Sequence, residues 1–400
     1  MKFIKMLLTA LKQEKGNIIK LFISPLIGTL FVGYVFSHPF VENVPFAVVD
    51  NDNSSLSRNI VYQLKNNPTL SIDLYADSEL ELEEAIDNKT VAGGIVIPKD
   101  FGKDVGLSKS PKALILVDGT NMLIGGNALG ACSTVLGTMN AGAQLNVFQG
   151  RGLLPNTAKQ TISNFSYVDR LLYEPQSSYL RNLIYTIIPF MIQMFFLTSF
   201  LVPLLIEKKK ELSSIKVWSK DGAKSIINTA LRIFINSTVL IVASFASLCI
   251  VKKLYDIPLR GNILIYGVLM YVFLINLTAI GLVLATIFNK SVYFILFYQL
   301  IYLAIMLTCG VTYPLYMMPD GFANAVGSIW PFIHSALPLK YLNLKGLGWD
   351  LMLPYIKEGL RYTLVWMPIG ITLYFSKIAF KKYRNQKVRL IKDGQEVVME

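Results

Sequence analysis

Histidine, cysteine and charge are all scarce in this chain of 400 residues, and each shortage closes off a class of function. Two histidines, His38 and His334, are too few for a histidine-based metal site and read as interfacial residues. Three cysteines cannot frame a disulfide-stapled fold, because Cys249 and Cys309 fall in apolar runs and only Cys132 lies in the mixed stretch over 38–178. No GxxxxGK[ST] phosphate cradle occurs, and no GxSxG, HExxH or CxxC. The chain therefore has no motif for nucleotide hydrolysis or for common hydrolytic and redox chemistry, and no cofactor is expected in it. Charged residues make up 16% of the chain against 53% hydrophobic, too oily for an ordinary globular protein. The bilayer must be part of its solvent.

What is present is a layout. A helix crossing a hydrocarbon core about 30 Å thick needs roughly 20 apolar residues. Six segments qualify: 18–36, 183–206, 226–251, 263–288, 292–311 and 360–375, the last being the shortest. One precedes a mixed polar stretch over 38–178 and five follow it. The expected fold is a polytopic α-helical membrane protein, six spans arranged one plus five, with an inserted extracellular α/β domain. Lys2, Lys5, Lys12 and Lys15 precede the first span, and Ser37-His38-Pro39-Phe40 after it lacks the small-x-small pattern of a cleavage site, so this span reads as a retained anchor. Within residues 1–16, Phe3, Met6, Leu7, Ala10 and Leu11 form a helical stripe between lysines, which predicts an amphipathic helix on the inner membrane surface, the alternative being a solvated helical extension of the first span.

The net charge of +12 raises the question of nucleic acid, and the placement of the charge answers it. Residues 1–20 carry five Lys and one Glu, 207–224 six Lys and three acids, and 377–400 seven basic and three acidic residues. All three stretches fall on one side of a six-span chain, whereas 38–175 holds 10 basic and 15 acidic side chains. The positive-inside rule puts both termini and the 207–224 loop in the cytoplasm and the acidic domain outside. One short outer loop, with Lys252, Lys253 and Arg260 against Asp256, runs the other way. The basic charge belongs to a membrane surface rather than to nucleic acid.

Within 38–178 the pattern changes to short β-rich runs at 45–50, 70–75, 91–97 and 113–118, with helical stretches at 55–66, 78–87 and 99–106 between them. Such alternation predicts a layered α/β domain. Ser54 or Ser55 is a fitting N-cap for the first helix, and Ser78 with Glu81 has capping-box spacing for the second. Residues 121–148, rich in Gly, Ala and Asn, predict a long closely packed helix rather than a seventh span, and 163–173 a returning strand. Asp50-Asn51-Asp52-Asn53-Ser54 begins like a calcium loop, but Ser55 stands where Gly is needed and Val61 where Glu is needed. A strand-to-helix turn accounts for it.

Two further groups carry functional expectations. The loop Glu207, Lys208, Lys209, Lys210, Glu211, Leu212 continues to Ile215 and Trp218, and Leu212, Ile215 and Trp218 stand at helical spacing. This predicts a short amphipathic helix between the second and third spans. Polar residues inside spans are costly in lipid and face protein or a water-filled path. Gln193, Asn236, Asn276 and Gln299 are the deep candidates for such a path, and Arg232 is a fifth that lies near enough to the inner face to snorkel. Residues 312–357 are too apolar for a plain loop and too broken by Pro314, Pro319, Pro331, Pro338 and Pro354 for a span, which predicts short helices dipping into the outer leaflet.

The segments VVDNDNSSLSR (48–58), VAGGIVIPKDF (91–101), LVDGTN (116–121), LLYEP (171–175) and CGVTYPLYMMP (309–319) together resemble the permease subunits of ABC-2-type (type V) exporters, in particular those with a large extracellular domain after the first span. The resemblance implies a bacterial cytoplasmic-membrane protein paired with a second permease copy or paralogue. It also implies cytoplasmic ABC ATPase subunits that hold the ATP and Mg, and outward movement of a lipid, drug or peptide. On that pattern 207–218 is the coupling helix that meets the ATPase and 1–16 the connecting helix beside it. The family often shows Glu-Arg-Glu-x-Gly-Thr where this chain has Glu207-Lys-Lys-Lys-Glu211-Leu212. A different reading of the same layout is a non-transporting receptor or scaffold whose outer domain binds a peptide, phage or wall component.

Overall fold

The computed structural model describes residues 2–37, 41–107, 109–150, 152, 156, 172–173, 178–214 and 219–396, with the side chains of 2–8, Met122 and 385–396 aside. The chain divides into two compact units, 38–171 and 1–37 with 172–400.

Among its described residues the first unit holds four strands, β1 (Val44–Asp50), β2 (Leu70–Tyr75), β3 (Gly93–Ile97) and β4 (Leu114–Val117), in the order β2-β1-β3-β4. β1 runs parallel to β2 and β3, and β4 closes the edge antiparallel to β3. Counting α1 as Lys2–Val35, the helices here are α2 (Ser55–Lys65), α3 (Glu79–Asp87), α4 (Phe101–Gly106) and α5 (Met122–Gly150). Both sheet faces are covered, which is why β1 and β3 read as unbroken apolar runs instead of alternating ones. Val44, Phe46, Val48, Ile95 and Ile97 pack with Ile60 and Leu64 of α2 and with Ala128 and Cys132 of α5. Ala47, Val49 and Val96 face Leu82 and Ala85 of α3. Gly94 makes that second layer possible, since a Cβ there would stand 2.4 Å from Leu82 Cδ1. Burial also pushes the Cys132 thiol up to about 12.

The predicted caps form. Ser54 Oγ accepts from Ser57 N at 3.1 Å and Ser78 Oγ from Glu81 N at 3.1 Å, while Glu81 reaches back to Asp77 N rather than to the cap residue itself. In the Asp50 turn, Asp50 Oδ1 accepts from the N–H groups of Asp52 and Asn53, and Asp52 Oδ2 accepts from Gly102 N. Those carboxylates are occupied in turning the chain. The strand expected over 163–173 lies almost wholly outside the described residues.

The second unit is helical. Among the described residues five helices are long and apolar enough to cross a membrane: α1 from Thr9, the run Tyr179–Ser214, α8 (Lys220–Tyr255), α9 (Ile263–Ile287) and the last helix from Trp349 to Arg384. The chain is thus a polytopic membrane protein. The fifth expected span is shorter than predicted, α10 (Ser291–Leu307), at 17 residues. The second is α6 (Tyr179–Phe195) joined through a π-helical turn (Phe196–Leu201) to α7 (Val202–Ser214). Pro203 explains that widened turn, because its ring cannot fit against the carbonyl four residues back in a regular helix. Gly281 of α9 accepts the bulge, since a Cβ there would lie 2.5 Å from Leu201 Cδ2.

Two expectations about boundaries are corrected. Residues 1–16 are not a separate surface helix but the start of α1, which runs unbroken into the first span. The last helix, α13 (Trp349–Glu396), begins inside the segment read as broken, 312–357, and continues to Glu396 within the one read as a tail, 378–400. The remainder of 312–357 holds a 3-10 turn (Leu315–Met317), α11 (Phe322–Ile329) and α12 (Ile333–Lys345). The Tyr179–Ser214 run and α9 are the most enclosed, each with 67% of its apolar window buried, while α1 and α13 show 22% and 17%. The bundle's core is therefore α6, α7 and α9, with α1 packed on α8 and α13 on α9.

Candidate functional site

The charged run between the second and third spans is a continuation of α7, not a short helix of its own, and helical geometry divides its residues between two faces. Glu207 and Lys210 are exposed, while Lys209, Leu212 and Ser213 turn inward. Lys209 Nζ donates to Phe288 O at 2.8 Å and to Ala285 O, at the C-terminal end of α9. A cation there satisfies carbonyls that have no helical partner and meets the negative end of the helix dipole. Lys209 is thus a helix cap, removed from the surface that a partner can touch. Glu211 accepts from Lys208 Nζ at 2.6 Å and from Ser225 Oγ of α8 at 2.8 Å, which ties the two arms of the hairpin together. Ser219 caps the N-terminus of α8. Ile215 and Trp218 lie outside the described residues.

Beside this hairpin sits a polar cluster centred on a residue that the sequence reading missed. Glu14 of α1 is fully buried. Its carboxylate accepts from Arg232 Nε, from Asn236 Nδ2 at 3.0 Å and from Asn17 Nδ2 at 2.9 Å. Gln13 and Asn228 add a contact of 3.3 Å at the edge. Arg232 therefore does not snorkel; it is the counter-ion of a buried acid. The available signal was a lone acid among the lysines of the first helix, with Arg232 and Asn236 one turn apart on another.

The other deep polar residues are spent singly. Gln193 donates to Tyr298 OH at 3.0 Å and accepts from Trp330 Nε1 at 3.1 Å, joining α6, α10 and the residue that ends α11. Asn276 of α9 accepts from Thr363 Oγ1 of α13. Gln299 is exposed on α10, on a face with Val292, Leu296, Leu300 and Leu303. Of the five path candidates, Arg232 and Asn236 come together, Gln193 and Asn276 are fixed in separate helix contacts, and Gln299 alone faces outward. Among the described residues no three His, Cys, Asp or Glu side chains gather as a metal site.

The sequence from residue 15 to residue 378 matches the family model for ABC-2 family transporter proteins, a match that takes in the spans and the α/β unit alike. The chain belongs to the ABC-2 transporter family. No curated protein matches it. An ABC-2 permease is the membrane part of a transporter.

Proposed function

We propose that this chain is the permease subunit of an ATP-binding-cassette exporter, driven by a separate cytoplasmic ATPase and working as a pair with a second copy or paralogue. The observation that carries this reading is the family match together with the α7–α8 hairpin, whose end presents Glu207 and Lys210 while Lys209 and Glu211 anchor it to α9 and α8. A push on such an anchored end moves helices instead of bending a loop. The placement of basic residues supports a cytoplasmic hairpin and an extracellular α/β unit. The bare apolar face of α10, with Gln299 at its centre, supports a contact between two permeases that borders the path. The cargo is hydrophobic or amphipathic: a lipid, a drug or a peptide.

The test is co-purification with the ATPase in lipid discs. The Glu207→Ala/Lys210→Ala pair is expected to lower coupled ATP hydrolysis at least tenfold, by the loss of about 1.4 kcal/mol of interface energy. Unchanged hydrolysis removes the coupling assignment.

A receptor reading draws on one feature, a cavity of about 600 Å³ in the α/β unit lined by Leu56, Phe101, Leu136 and Phe148, with Lys109 at its edge. A ligand retained by the α/β unit in a chain that binds no ATPase would favour it.

A further inference from the structure

The π-helical turn of the second span falls near the middle of the Tyr179–Ser214 run, and it leaves polar groups there without partners. In a regular helix each carbonyl receives the N–H four residues on. Here Val202 N–H goes to Leu197 O, five residues back, and Pro203 has no N–H to give. The Thr198 carbonyl stands four and five residues before those two, so neither fills it, and no side chain donates to it among the described residues. One residue on, the Ser199 hydroxyl has no partner among the described residues either. Hydroxyls elsewhere in the apolar helices behave differently. Thr229, Ser247, Thr278 and Thr286 each donate to the carbonyl four residues back at 2.8–2.9 Å, and Thr198 itself donates to Met194 O at 2.7 Å.

Both unpaired groups lie on the one side of this span that the bundle leaves open. From Ile192 to Ile206 every residue is buried except Met194, Phe195, Thr198, Ser199 and Pro203, and of these Ser199 is fully exposed. The peptide that joins Thr198 to Ser199 carries the free carbonyl, so it lies on the same side as their side chains. Met191 and Glu207 continue the stripe, four residues beyond Phe195 and Pro203. α1 borders it at Met191, whose Sδ would stand 2.5 Å from a Cβ on Gly28, and α10 packs on the π-helical turn.

Hydrocarbon offers no hydrogen-bond donor, and irregular backbone at this depth persists only against protein or a water-filled cavity. A stripe that presents a bare carbonyl and a bare hydroxyl is therefore built to face something other than lipid. No ionised residue lies in the span between Arg181 and Glu207, so an ion at this depth would have no counter-charge on it. A carbonyl only accepts and a hydroxyl accepts readily, which selects an N–H or O–H on the incoming molecule. Met194, Phe195 and Pro203 around them offer apolar contact.

We infer that this notch is a subsite for the cargo, an inference that rests on the exporter reading. It takes a neutral hydrogen-bond donor, a hydroxyl or an amide, carried on an otherwise apolar molecule that passes along the stripe from Met191 to Pro203.

Two measurements on the full chain in lipid discs test it. Neither uses an ATPase, so their failure is distinct from failure of the exporter reading, which is judged by coupled hydrolysis. The first applies a charged, water-soluble methanethiosulfonate to single cysteines in a Cys132→Ala/Cys249→Ser/Cys309→Ala background. The reagent attacks a thiolate, which forms in water and not in hydrocarbon. Phe195→Cys and Ser199→Cys are expected to react within about tenfold of Leu80→Cys, exposed on α3, and about a hundredfold faster than Leu364→Cys, exposed on the least buried span. Rates no faster than that of Leu364→Cys place the stripe against lipid and overturn the proposal. An unreactive Ser199→Cys that forms a disulfide-linked dimer puts a second copy on the stripe and overturns it as well.

The second compares photolabelling by an octanol carrying a diazirine with labelling by its methyl ether, which keeps the apolar body and loses the donor. The alcohol is expected to label residues 191–203 about fivefold more strongly, the worth of one hydrogen bond. Ser199→Ala removes the hydroxyl and Pro203→Ala restores the missing N–H. Each is expected to lower that ratio and the two together to bring it to about one, with labelling elsewhere on the chain unchanged as the check on folding. Equal labelling by alcohol and ether in the wild type, or an unchanged ratio in the double variant, overturns the assignment.

Discussion

Substituting Glu14 by Gln tests whether the α1–α8 contact is held by charge or by packing. The substitution keeps the shape and most of the hydrogen-bonding capacity but removes the negative charge, leaving Arg232 without a counter-ion. Removing one member of a buried ion pair costs about 3–5 kcal/mol, chiefly from the uncompensated charge that remains. The Arg232 side chain retains 16% exposure, which lets water reach the guanidinium and lowers the expected loss to about 2–4 kcal/mol. Arg232→Gln leaves Glu14, at 0% exposure, with Asn17 and Asn236 as its remaining donors, and is expected to cost at least as much. The two together remove both charges, so the double variant should lose at least about 1.5 kcal/mol less than the sum of the singles. The assay is chemical unfolding in lipid discs, followed by tryptophan fluorescence, across the four proteins of the cycle. Singles within about 0.5 kcal/mol of wild type, or a strictly additive pair, would refute the reasoning and make the contact one of apolar packing.

The remaining expectations concern single sites. Lys209→Met keeps the apolar stem but strips the end of α9 of its cation and its donor, and should lower stability by about 1–3 kcal/mol; no change in the unfolding midpoint would exclude the capping role. Gln193→Leu leaves Trp330 Nε1 buried without an acceptor, so a loss of about 1–2 kcal/mol should come with a shift of the Trp330 emission maximum, and an unmoved spectrum counts against the contact. Cys132, fully enclosed and pushed up to about 12 by burial, should resist maleimide at pH 8 in a Cys249→Ser/Cys309→Ser background until denaturant is added; labelling of the native chain at the rate of a free thiol would contradict the packing of α5 on the sheet.

The α/β unit was the most legible part of the chain, and for local reasons. Ser54 and Ser78 cap the helices predicted from their spacing, and the runs around Val48 and Ile95 are strands because both sheet faces are covered. Helix ends in the membrane unit were less legible. Residues 1–16 read as a surface helix ahead of the span, yet Asn17 turns its amide to Glu14 and α1 runs on. Pro354 and Pro368 likewise fail to interrupt α13, as prolines in membrane helices often do when neighbouring helices support the backbone. The role of a polar residue in a span was not legible at all. Gln193 and Arg232 look equally suited to a water-filled path, and the partners that claim them, Tyr298 and Glu14, stand 105 and 218 positions away. A lone polar side chain in an apolar run has the same local pattern whether it faces a cavity or another helix.

The distribution of these bonds bears on how such a bundle moves. Near one end, Lys209 ties α7 to α9, Tyr374 OH ties α13 to α7 through Leu205 O at 2.6 Å, Glu14 ties α1 to α8, and Glu211 ties α7 to α8. At the other, Arg181 Nη2 reaches Asp256 O at 3.0 Å, Tyr185 bonds Pro258 O, and Arg260 Nη1 reaches Leu344 O at 3.0 Å. Sliding one of these helices past its bonded neighbour by a turn breaks the directed bonds between them, worth about 1 kcal/mol each. Shear within one chain is therefore the costly motion. Among the described residues the exposed face of α10 carries no comparable ties, and Gln299 is its only polar group between Val292 and Leu303 apart from tyrosine hydroxyls. On the exporter reading, a push at Glu207 and Lys210 would turn each permease as one body, and the displacement would appear where two such faces meet.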